Sequence, residues 1–588
     1  MTPSPRHLIS PLRLAAAAAA LLAGALGGCQ TAPPAKAQAQ TPQDPSAQTV
    51  VAEIALQRGD CRAASEAYAS AASHGNAALA RRASQVAFAC EDLPAAWQAA
   101  QRWHALAPAD REASIIYATV ALKLYRIGDA RTALAPVVRN GAVQDDKEAV
   151  QKDKDLIALI DVLAQESDST ATLAALDDTL DAHGSSARVL TALGDLALNA
   201  YDFNRAERHA REALERATDD PQALRLITRV RTLRGDADGA ILGAREVMRV
   251  AGADGTFELA DVLTELDRTE EARQELERLR ANQASPEEID RRLALIAYQS
   301  GDLAEARRRF SELIDRGEAT DAAVFYLADI ANRTGDADAA LAAYRQLSDS
   351  PMALSARERA AGILIDRGKR GEALDLLDSY ESEHPESGFD LALAKAQVLA
   401  DHGDPKAGVG VLTDAMQRFP DNPSIEYERA TMLERAGQLN DSIKAFERLM
   451  IARPNDPNLQ NALGYTLADH GLQLSRAEGL IRRALAVTPD NPAVLDSLAW
   501  VRVRRGDARG ALPTLERAYT ISRDAEIAAH WGEALWLAGA HDQAREVLAT
   551  ALARNPDSAA LKATLNRLMP AEPPSAAPPP AAPPVLTH

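Results

Sequence analysis

A short turn signature recurs along this chain at intervals close to 34 residues, and this period constrains the fold more than any other feature. Each copy has glycine or a polar substitute at the turn, usually followed by aspartate, and a small residue about five places further on. Weaker copies lie at Gly59, Glu91, Gly128 and Ser167, the last being the poorest match. The clearest turns lie at Tyr201, Gly235, Asp267, Gly301, Gly335, Gly368, Gly403, Gly437, Gly471, Gly506 and Gly539. A sustained period of this length predicts a stack of repeated units rather than one compact core.

The apolar residues on both sides of each turn follow helical spacing. In the unit at residues 457–491, Leu459, Leu463 and Leu467 recur every four residues before Gly471. After the turn the apolar positions are Ala477, Ile481, Ala484 and Leu485, and Pro489 closes the second half. Spacing of this kind is typical of an amphipathic helix, and glycine and proline occur where helices end. Each unit is therefore predicted to be a pair of antiparallel helices.

The unit resembles the tetratricopeptide repeat. The Leu-Gly pair of its first helix is matched at 193–194 and 463–464, the alanine of its second helix at Ala306, Ala340 and Ala544, and its terminal proline at Pro385, Pro420, Pro454, Pro489 and Pro556. The resemblance implies an all-α, right-handed superhelical solenoid of tetratricopeptide-type helix pairs, about 11 of them clear and up to 15 in total. The repeats are regular over residues 186–568 and weaker over 49–185. Ser442 in place of alanine and an inserted residue around 473–476 depart from the pattern.

The amino terminus has the features of a targeting segment. Arg6 and Arg13 precede an apolar stretch at residues 14–25, which is too short to span a bilayer. The following LGGC resembles a bacterial lipobox, which implies a lipoprotein signal peptide at residues 1–28 and lipidation of Cys29 with palmitate-type chains. By the same resemblance, Gln30 implies an outer-membrane location facing the periplasm. Residues 29–48 and 569–588 are poor in large apolar residues and are predicted to be a disordered tether and a disordered Pro/Ala-rich tail.

Charge and motifs exclude several function classes. The chain has 65 Lys and Arg against 84 Asp and Glu, a formal net charge of −19, which argues against nucleic acid as a generic partner. Serine-hydrolase, phosphate-loop and zinc-protease motifs are absent from the sequence, and the 11 histidines have no ligand spacing. His402 and His470 each precede a turn glycine and are expected to cap helices. Because the repeats occupy nearly the whole chain, we predict no enzyme activity, no cofactor, no metal site and no small-molecule substrate.

The first helices of a stack like this line its concave surface, so binding residues are expected there. Counting from the Leu-Gly position places Tyr465, Trp500 and Trp536 on that wall as candidate protein-binding anchors. The alternative is that these rings fill gaps between adjacent units. Arg333, Arg435 and Arg504 each stand two residues before a turn glycine and could present guanidinium groups to an acidic or carboxylate-ended peptide. Solvated surface arginines are the alternative here.

Two further cysteines are placed to form a disulfide bond. Cys61 lies at the start of one unit's second helix, and Cys90 lies at the end of the next unit's first helix. Consecutive helices run antiparallel, so these two ends meet at the same level of the stack. In the oxidising periplasm the two thiols are expected to pair. Two buried free thiols are the alternative.

Two function classes remain. One is a periplasmic adaptor or scaffold that binds proteins through the helical-repeat groove; the other is a structural component of an envelope machine for exopolysaccharide export or pilus assembly. The stretches at residues 461–471, 494–507 and 526–539 resemble a long repeat lipoprotein of proteobacteria that partners a carboxy-terminal processing protease. That resemblance implies an adaptor that delivers cell-wall hydrolases to a periplasmic protease.

Overall fold

The chain is helical throughout the part described by this computed structural model, which covers residues 45–139, 146–181, 185–282, 285–318, 320–384, 387–419, 421–556 and 558–569. These ranges contain no strand, and none of their helices is long and apolar enough to cross a membrane. Cys29, the predicted signal peptide, most of the predicted tether and the tail beyond Met569 lie outside the described residues. The all-α repeat fold predicted from the period is confirmed.

The helices follow one another in the order expected for stacked pairs, with a short 3-10 turn at Gly252–Gly255. They are α1 (Pro45–Gln57), α2 (Cys61–His74), α3 (Ala77–Ala89), α4 (Leu93–Leu106), α5 (Arg111–Lys123), α6 (Ile127–Arg139), α7 (Asp146–Glu166), α8 (Ser169–Asp181), α9 (Ala187–Asn199), α10 (Phe203–Arg216), α11 (Pro221–Leu233), α12 (Ala237–Ala251), α13 (Glu258–Glu265), α14 (Thr269–Ala281), α15 (Pro286–Gln299), α16 (Leu303–Asp315), α17 (Thr320–Arg333), α18 (Ala337–Arg345), α19 (Ala353–Asp366), α20 (Arg370–Glu383), α21 (Gly388–Asp401), α22 (Pro405–Arg418), α23 (Pro423–Arg435), α24 (Leu439–Ala452), α25 (Pro457–Asp469), α26 (Leu474–Val487), α27 (Pro492–Arg504), α28 (Ala508–Ser522), α29 (Ala525–Leu537), α30 (His541–Arg554) and α31 (Ala559–Leu568).

The chain forms two compact units, each built from two separate stretches of sequence. Unit 1 combines Met1–Asn140 with Val324–Gly437, and unit 2 combines Gly141–Ala323 with Gln438–His588. Within each unit the helices pack mainly on the next helix or the next but one, as expected for a repeat array. In unit 1, the Arg62 guanidinium also donates to the Gln417 carbonyl oxygen at 2.9 Å, which joins its two stretches.

The turns explain the recurring Gly-Asp signature. The turn residue has a left-handed backbone, with φ of +76° at Gly235, and glycine adopts this conformation without steric cost. The same conformation is held by Tyr201 at +55° and Asp267 at +62°. The following aspartate caps the second helix: Asp236 Oδ1 accepts a hydrogen bond from the Gly239 N–H at 3.0 Å. One residue therefore ends the first helix and the next begins the second.

One predicted turn and one predicted boundary were wrong. In the third helix pair, α5–α6, the left-handed turn residue is Tyr125, with φ of +58°, whereas Gly128 lies inside α6. Gly128-Asp129 has the Gly-Asp form of the turn signature, but the left-handed residue is Tyr125, which follows Glu91 by one full period. At the amino terminus α1 begins at Pro45, so the last four residues of the predicted tether are helical, and Ala52 and Ala55 of this helix are buried. The inserted residue after Gly471 is accommodated by a second left-handed residue, Gln473, at +43°.

Small residues on the first helices allow close packing inside each pair. A Cβ atom added at Gly464 would lie 2.6 Å from Ile481 Cγ1, and one added at Gly532 would lie 2.5 Å from Leu548 Cγ. Both distances are below van der Waals contact, so a larger residue would push the two helices apart. The Leu-Gly signature is therefore a packing requirement of the pair.

Ser442 stands at the alanine position of its second helix. Its side chain is fully buried, and its Oγ has no hydrogen-bond partner among the described residues. Because burial of an unsatisfied hydroxyl is unfavourable, we expect Ser442→Ala to raise the free energy of unfolding by about 1 kcal/mol. Urea unfolding followed by circular dichroism measures this change. The reverse substitution Ala511→Ser, at an equally buried position, should lower stability; a loss of stability in Ser442→Ala would contradict the interpretation.

Cys61 and Cys90 are joined by a disulfide bond in the structure. Cys61 is the first residue of α2 and Cys90 follows the end of α3, with a Cα–Cα distance of 5.4 Å. This is the placement that the antiparallel arrangement predicts. The bond links the first two helix pairs, α1–α2 and α3–α4, at the amino-terminal end of the described chain.

Candidate protein-binding wall on the first helices

The candidate wall of unit 2 is formed by α25, α27 and α29, the first helices of three consecutive pairs. Each begins in the same way, with an aspartate or asparagine that caps the helix. Asp456 Oδ1 accepts from the Asn458 N–H at 2.9 Å, and Asn491 and Asp524 act likewise at the starts of α27 and α29. These caps set the register in which side chains of the three helices meet.

Trp500 lies in the interior of unit 2, between neighbouring repeats. Its side chain is only 4% exposed. The indole Nε1–H donates to Asp469 Oδ1 on α25 at 2.9 Å, and the ring stacks on His530 of α29 with 4.0 Å between centroids and 17° between planes. Trp500 therefore bridges three first helices. The prediction that Trp500 is a groove anchor was wrong, because α25, α29 and the His530 ring cover its side chain. The ring fills the space between neighbouring repeats, which was the alternative.

His530 is the partner that the sequence analysis did not identify. It is 8% exposed, and its Nδ1 lies 2.8 Å from Asp496 Oδ2 on α27. Burial disfavours the charged imidazolium, but the carboxylate of Asp496, with Glu526 and Asp469 further away, outweighs burial and raises the pKa of His530 to about 9. The ring is therefore protonated at neutral pH. Asp496 and His530 thus form a buried ion pair between α27 and α29.

The raised pKa of His530 makes the stability of unit 2 dependent on pH. A group whose pKa is higher in the folded chain stabilises the fold fully below its unfolded pKa, near 6.5, and loses that contribution as pH rises through about 9. We expect the melting temperature to fall between pH 6.5 and pH 9.5, and the fall to be smaller in His530→Gln. His470→Gln, at an exposed helix end, is the matched control. Equal slopes in wild type and His530→Gln would contradict the assignment.

Tyr465 and Trp536 are each half-buried, so part of each ring faces solvent. The Tyr465 O–H donates to the Glu526 carboxylate at 2.5 Å, and burial together with that carboxylate raises the pKa of Tyr465 above its usual range. Trp536 lies against His541, with ring centroids 4.3 Å apart, and against the guanidinium of Arg545, both on α30. Tyr465 therefore remains a candidate for the wall, whereas Trp536 packs on the second helix of its own pair.

The arginines proposed to recognise an acidic peptide have partners within the protein. In unit 1, Arg435 pairs with Asp401 at 2.8 Å, and Arg333, the last residue of α17, is partly buried. In unit 2, Arg504 lies over the Trp500 ring at 5.9 Å. The pairing of Arg435 and the stacking of Arg504 argue against a row of available guanidinium groups.

What the wall offers to a partner is mostly hydrogen-bond acceptors. Glu526 is exposed, and the Tyr465 ring is partly exposed. The sequence held one signal for the pair behind them: Asp496 and His530 are separated by 34 residues, one period. Residues one period apart occupy equivalent places on neighbouring helices.

Comparison with known proteins identifies the repeat. Profiles of the tetratricopeptide repeat match residues 291–351, 399–464 and 502–568. These segments are tetratricopeptide repeats. Tetratricopeptide repeats generally bind other proteins, through the concave surface of the stacked pairs.

Two relatives share part of this chain. A tetratricopeptide repeat-containing protein of Pseudomonas aeruginosa is 32% identical over 213 residues, which are 36% of this chain and 36% of that protein. The cellulose synthase operon protein C of Xanthomonas axonopodis is 25% identical over 329 residues, 55% of this chain and 20% of that protein. The chain thus spans about a third and a fifth of the lengths of these relatives.

Two solved structures are among those to which this chain is similar. In the structure of the Cut9–Hcn1 hetero-tetramer of the APC/C, the similar region spans 89% of this chain and 96% of the matched chain, at 15% identity and with a TM-score of 0.28. The tetratricopeptide repeat protein TTC0263 of Thermus thermophilus covers 30% of this chain and 96% of that chain at 20% identity, with a TM-score of 0.28.

Proposed function

We propose that this chain is a non-catalytic scaffold that binds other proteins through the first helices of its tetratricopeptide repeats. The observation that carries the proposal is the repeat itself, which makes up the described chain and offers a wall of first helices. The Tyr465 hydroxyl donates a hydrogen bond to the Glu526 carboxylate, and the Tyr465 ring packs on the buried Trp500 and His530. A partner would therefore meet a pre-organised surface, which lowers the entropic cost of binding.

The finer form of the proposal is a lipid-anchored adaptor at the periplasmic face of the outer membrane, which delivers cell-wall hydrolases to a processing protease. It is supported by the lipobox resemblance around Cys29 and by the resemblance of the three carboxy-terminal stretches noted above. If Cys29 carries the lipid, Cys29→Ser should leave an uncleaved precursor or move the protein into the soluble periplasmic fraction. A variant that stays in the outer-membrane fraction would count against the anchor.

The binding role is tested on the wall itself. Partners are captured from crosslinked, detergent-solubilised envelopes with the full chain, with Tyr465→Phe combined with Glu526→Gln, and with Glu546→Gln. Glu546 is an exposed residue of the second helix α30 and serves as the matched control. We expect the double variant to lose most of the captured partner, since the exposed groups of an interface centre carry much of its binding energy. Unchanged capture with unchanged melting would exclude this part of the wall.

A second candidate function is a structural component of an envelope machine. It is favoured by the similarity to a cellulose synthase operon protein over 55% of this chain. The capture experiment separates the two candidates. A protease with cell-wall hydrolases among the captured proteins supports the adaptor, whereas exopolysaccharide-export or pilus-assembly components support the machine part.

A further inference from the structure

The two stretches of unit 2 touch each other at a series of points that we call the seam. Asn458 Nδ2 donates to Asp168 Oδ2 at 3.2 Å, although 290 residues separate them. The Asp490 N–H donates to the Tyr201 carbonyl at 2.9 Å, and the Phe203 N–H donates to Asp490 Oδ2 at 2.8 Å. These contacts join residues that are far apart in sequence, unlike the packing between successive repeats.

The seam continues towards the carboxy-terminal repeats in the same register. A Cβ atom at Gly235 would lie 3.0 Å from Thr520 Cγ2, so the Thr520 side chain packs closely on the Gly235 turn. Asp267 pairs with Arg523 at 3.3 Å and with Arg554 at 3.0 Å. The partners along the seam are the turns inside successive pairs on one side and the loops and helix ends between pairs on the other. Because a separation of 290 residues is about eight and a half periods, each turn meets a loop.

The chemistry of these contacts differs from that inside a repeat. Pairs within a repeat are held by buried apolar side chains, whereas the contacts above are hydrogen bonds and ion pairs from helix ends. Asp267, Arg523 and Arg554 keep 41%, 37% and 33% of their side chains exposed, so solvent and salt reach them. Asp490 is the exception, at 4% exposure, with an ion pair to Arg517 beside its contacts with α10.

The Phe203 N–H makes this region informative. Phe203 is the first residue of α10, where a backbone N–H has no acceptor within its own helix. Its hydrogen bond to Asp490 is therefore supplied entirely from across the seam. Protection of this single amide from exchange with solvent reports whether the seam is closed.

We propose that the seam is a reversible clasp: the two stretches of unit 2 separate along it as rigid sets of repeats, before the repeats themselves unfold. Each stretch is held internally by neighbouring helices, so breaking the polar contacts leaves the helix pairs intact. Opening changes the distance between the first helices of the two stretches, and hence the span of wall presented to a large partner. The proposal rests on the fold and does not depend on the identity of any partner.

Hydrogen exchange on the full chain tests the clasp. Asp267→Ala removes the two ion pairs with Arg523 and Arg554 without touching α10. If the seam opens as one element, exchange at the Phe203 amide should become about tenfold faster in this variant, and faster again in 0.5 M salt, while amides in the middle of α9 and α10 keep their protection. Mass spectrometry of short peptides covering residues 199–206 gives this readout.

Asp219→Ala is the matched control, because Asp219 is an exposed aspartate of unit 2 whose ion pair is with Arg249, away from the seam. It should leave the Phe203 amide unchanged. Two results would overturn the proposal. One is unaltered protection of Phe203 in Asp267→Ala at both salt concentrations. The other is equal acceleration at Phe203 and in the helix interiors, which would make the seam part of the global unfolding of the unit.

Discussion

Trp500→Ala is expected to lower the free energy of unfolding of the carboxy-terminal repeats by about 3–5 kcal/mol, the usual loss for a buried large aromatic residue. The ring is 4% exposed and fills the space between α25, α27 and α29. Its removal leaves a cavity, takes the donor from Asp469 and removes the stacking surface of His530. The loss should be visible as an earlier transition in urea, followed by circular dichroism.

The matched control is Trp536→Ala. The Trp536 ring is half-buried, and its contacts described above are with α30, the second helix of its own pair. The loss of unfolding free energy should therefore be less than half as large. Partner capture measured on the same samples completes the test. Trp500→Ala alone should lose thermal stability before it loses capture. A variant that melts like the wild type but captures nothing would restore Trp500 to the binding surface.

Removal of the Cys61–Cys90 bond has the next largest expected effect. The bond closes a loop with a sequence separation of 29, and the chain-entropy account assigns about 3.5 kcal/mol to a loop of this size. Cys61→Ala combined with Cys90→Ala should lower the free energy of unfolding of the first two helix pairs by about this amount. Thermal melting with and without a reductant measures it: reductant should shift the wild type and leave the double variant unchanged.

Mass spectrometry of unreduced, alkylated protein provides the independent check. The proposed periplasmic location is oxidising, so under that proposal the isolated protein should carry the bond and show no alkylation at either residue. Two alkylated cysteines at 61 and 90 would show that the thiols are free. In that case reductant should also have no effect on melting of the wild type.

The repeat period predicted most of the fold because every repeat has the same local requirements. Turns at Gly235 and Asp267 lie where the spacing puts them, since a left-handed residue is needed once per pair to end the first helix. The period also placed Cys61 and Cys90 together. The prediction failed at Gly128, where a Gly-Asp pair matches the signature but the left-handed residue is Tyr125, one full period after Glu91.

The wall was harder to predict than the fold. Helix register shows which way Trp500 leaves α27, but the burial of its ring depends on His530 and Asp469, which come from two other helices. The contacts of Asp490 were beyond the reach of the period altogether. A repeat pattern describes neighbours, whereas the distance after which the chain meets itself again depends on small rotations accumulated over many pairs.

The contact of a turn with a loop has a consequence for how a chain of this kind can change in evolution. Repeat arrays gain and lose copies by duplication and deletion of whole periods. A change of one copy between Phe203 and Asp490 would still bring a turn against a loop, but it would replace every pair of side chains along the line. Asp490 would no longer face the first amide of α10, nor Asp267 its two arginines. The number of copies in this stretch is therefore constrained by the contacts between its two ends, in addition to the packing inside each copy.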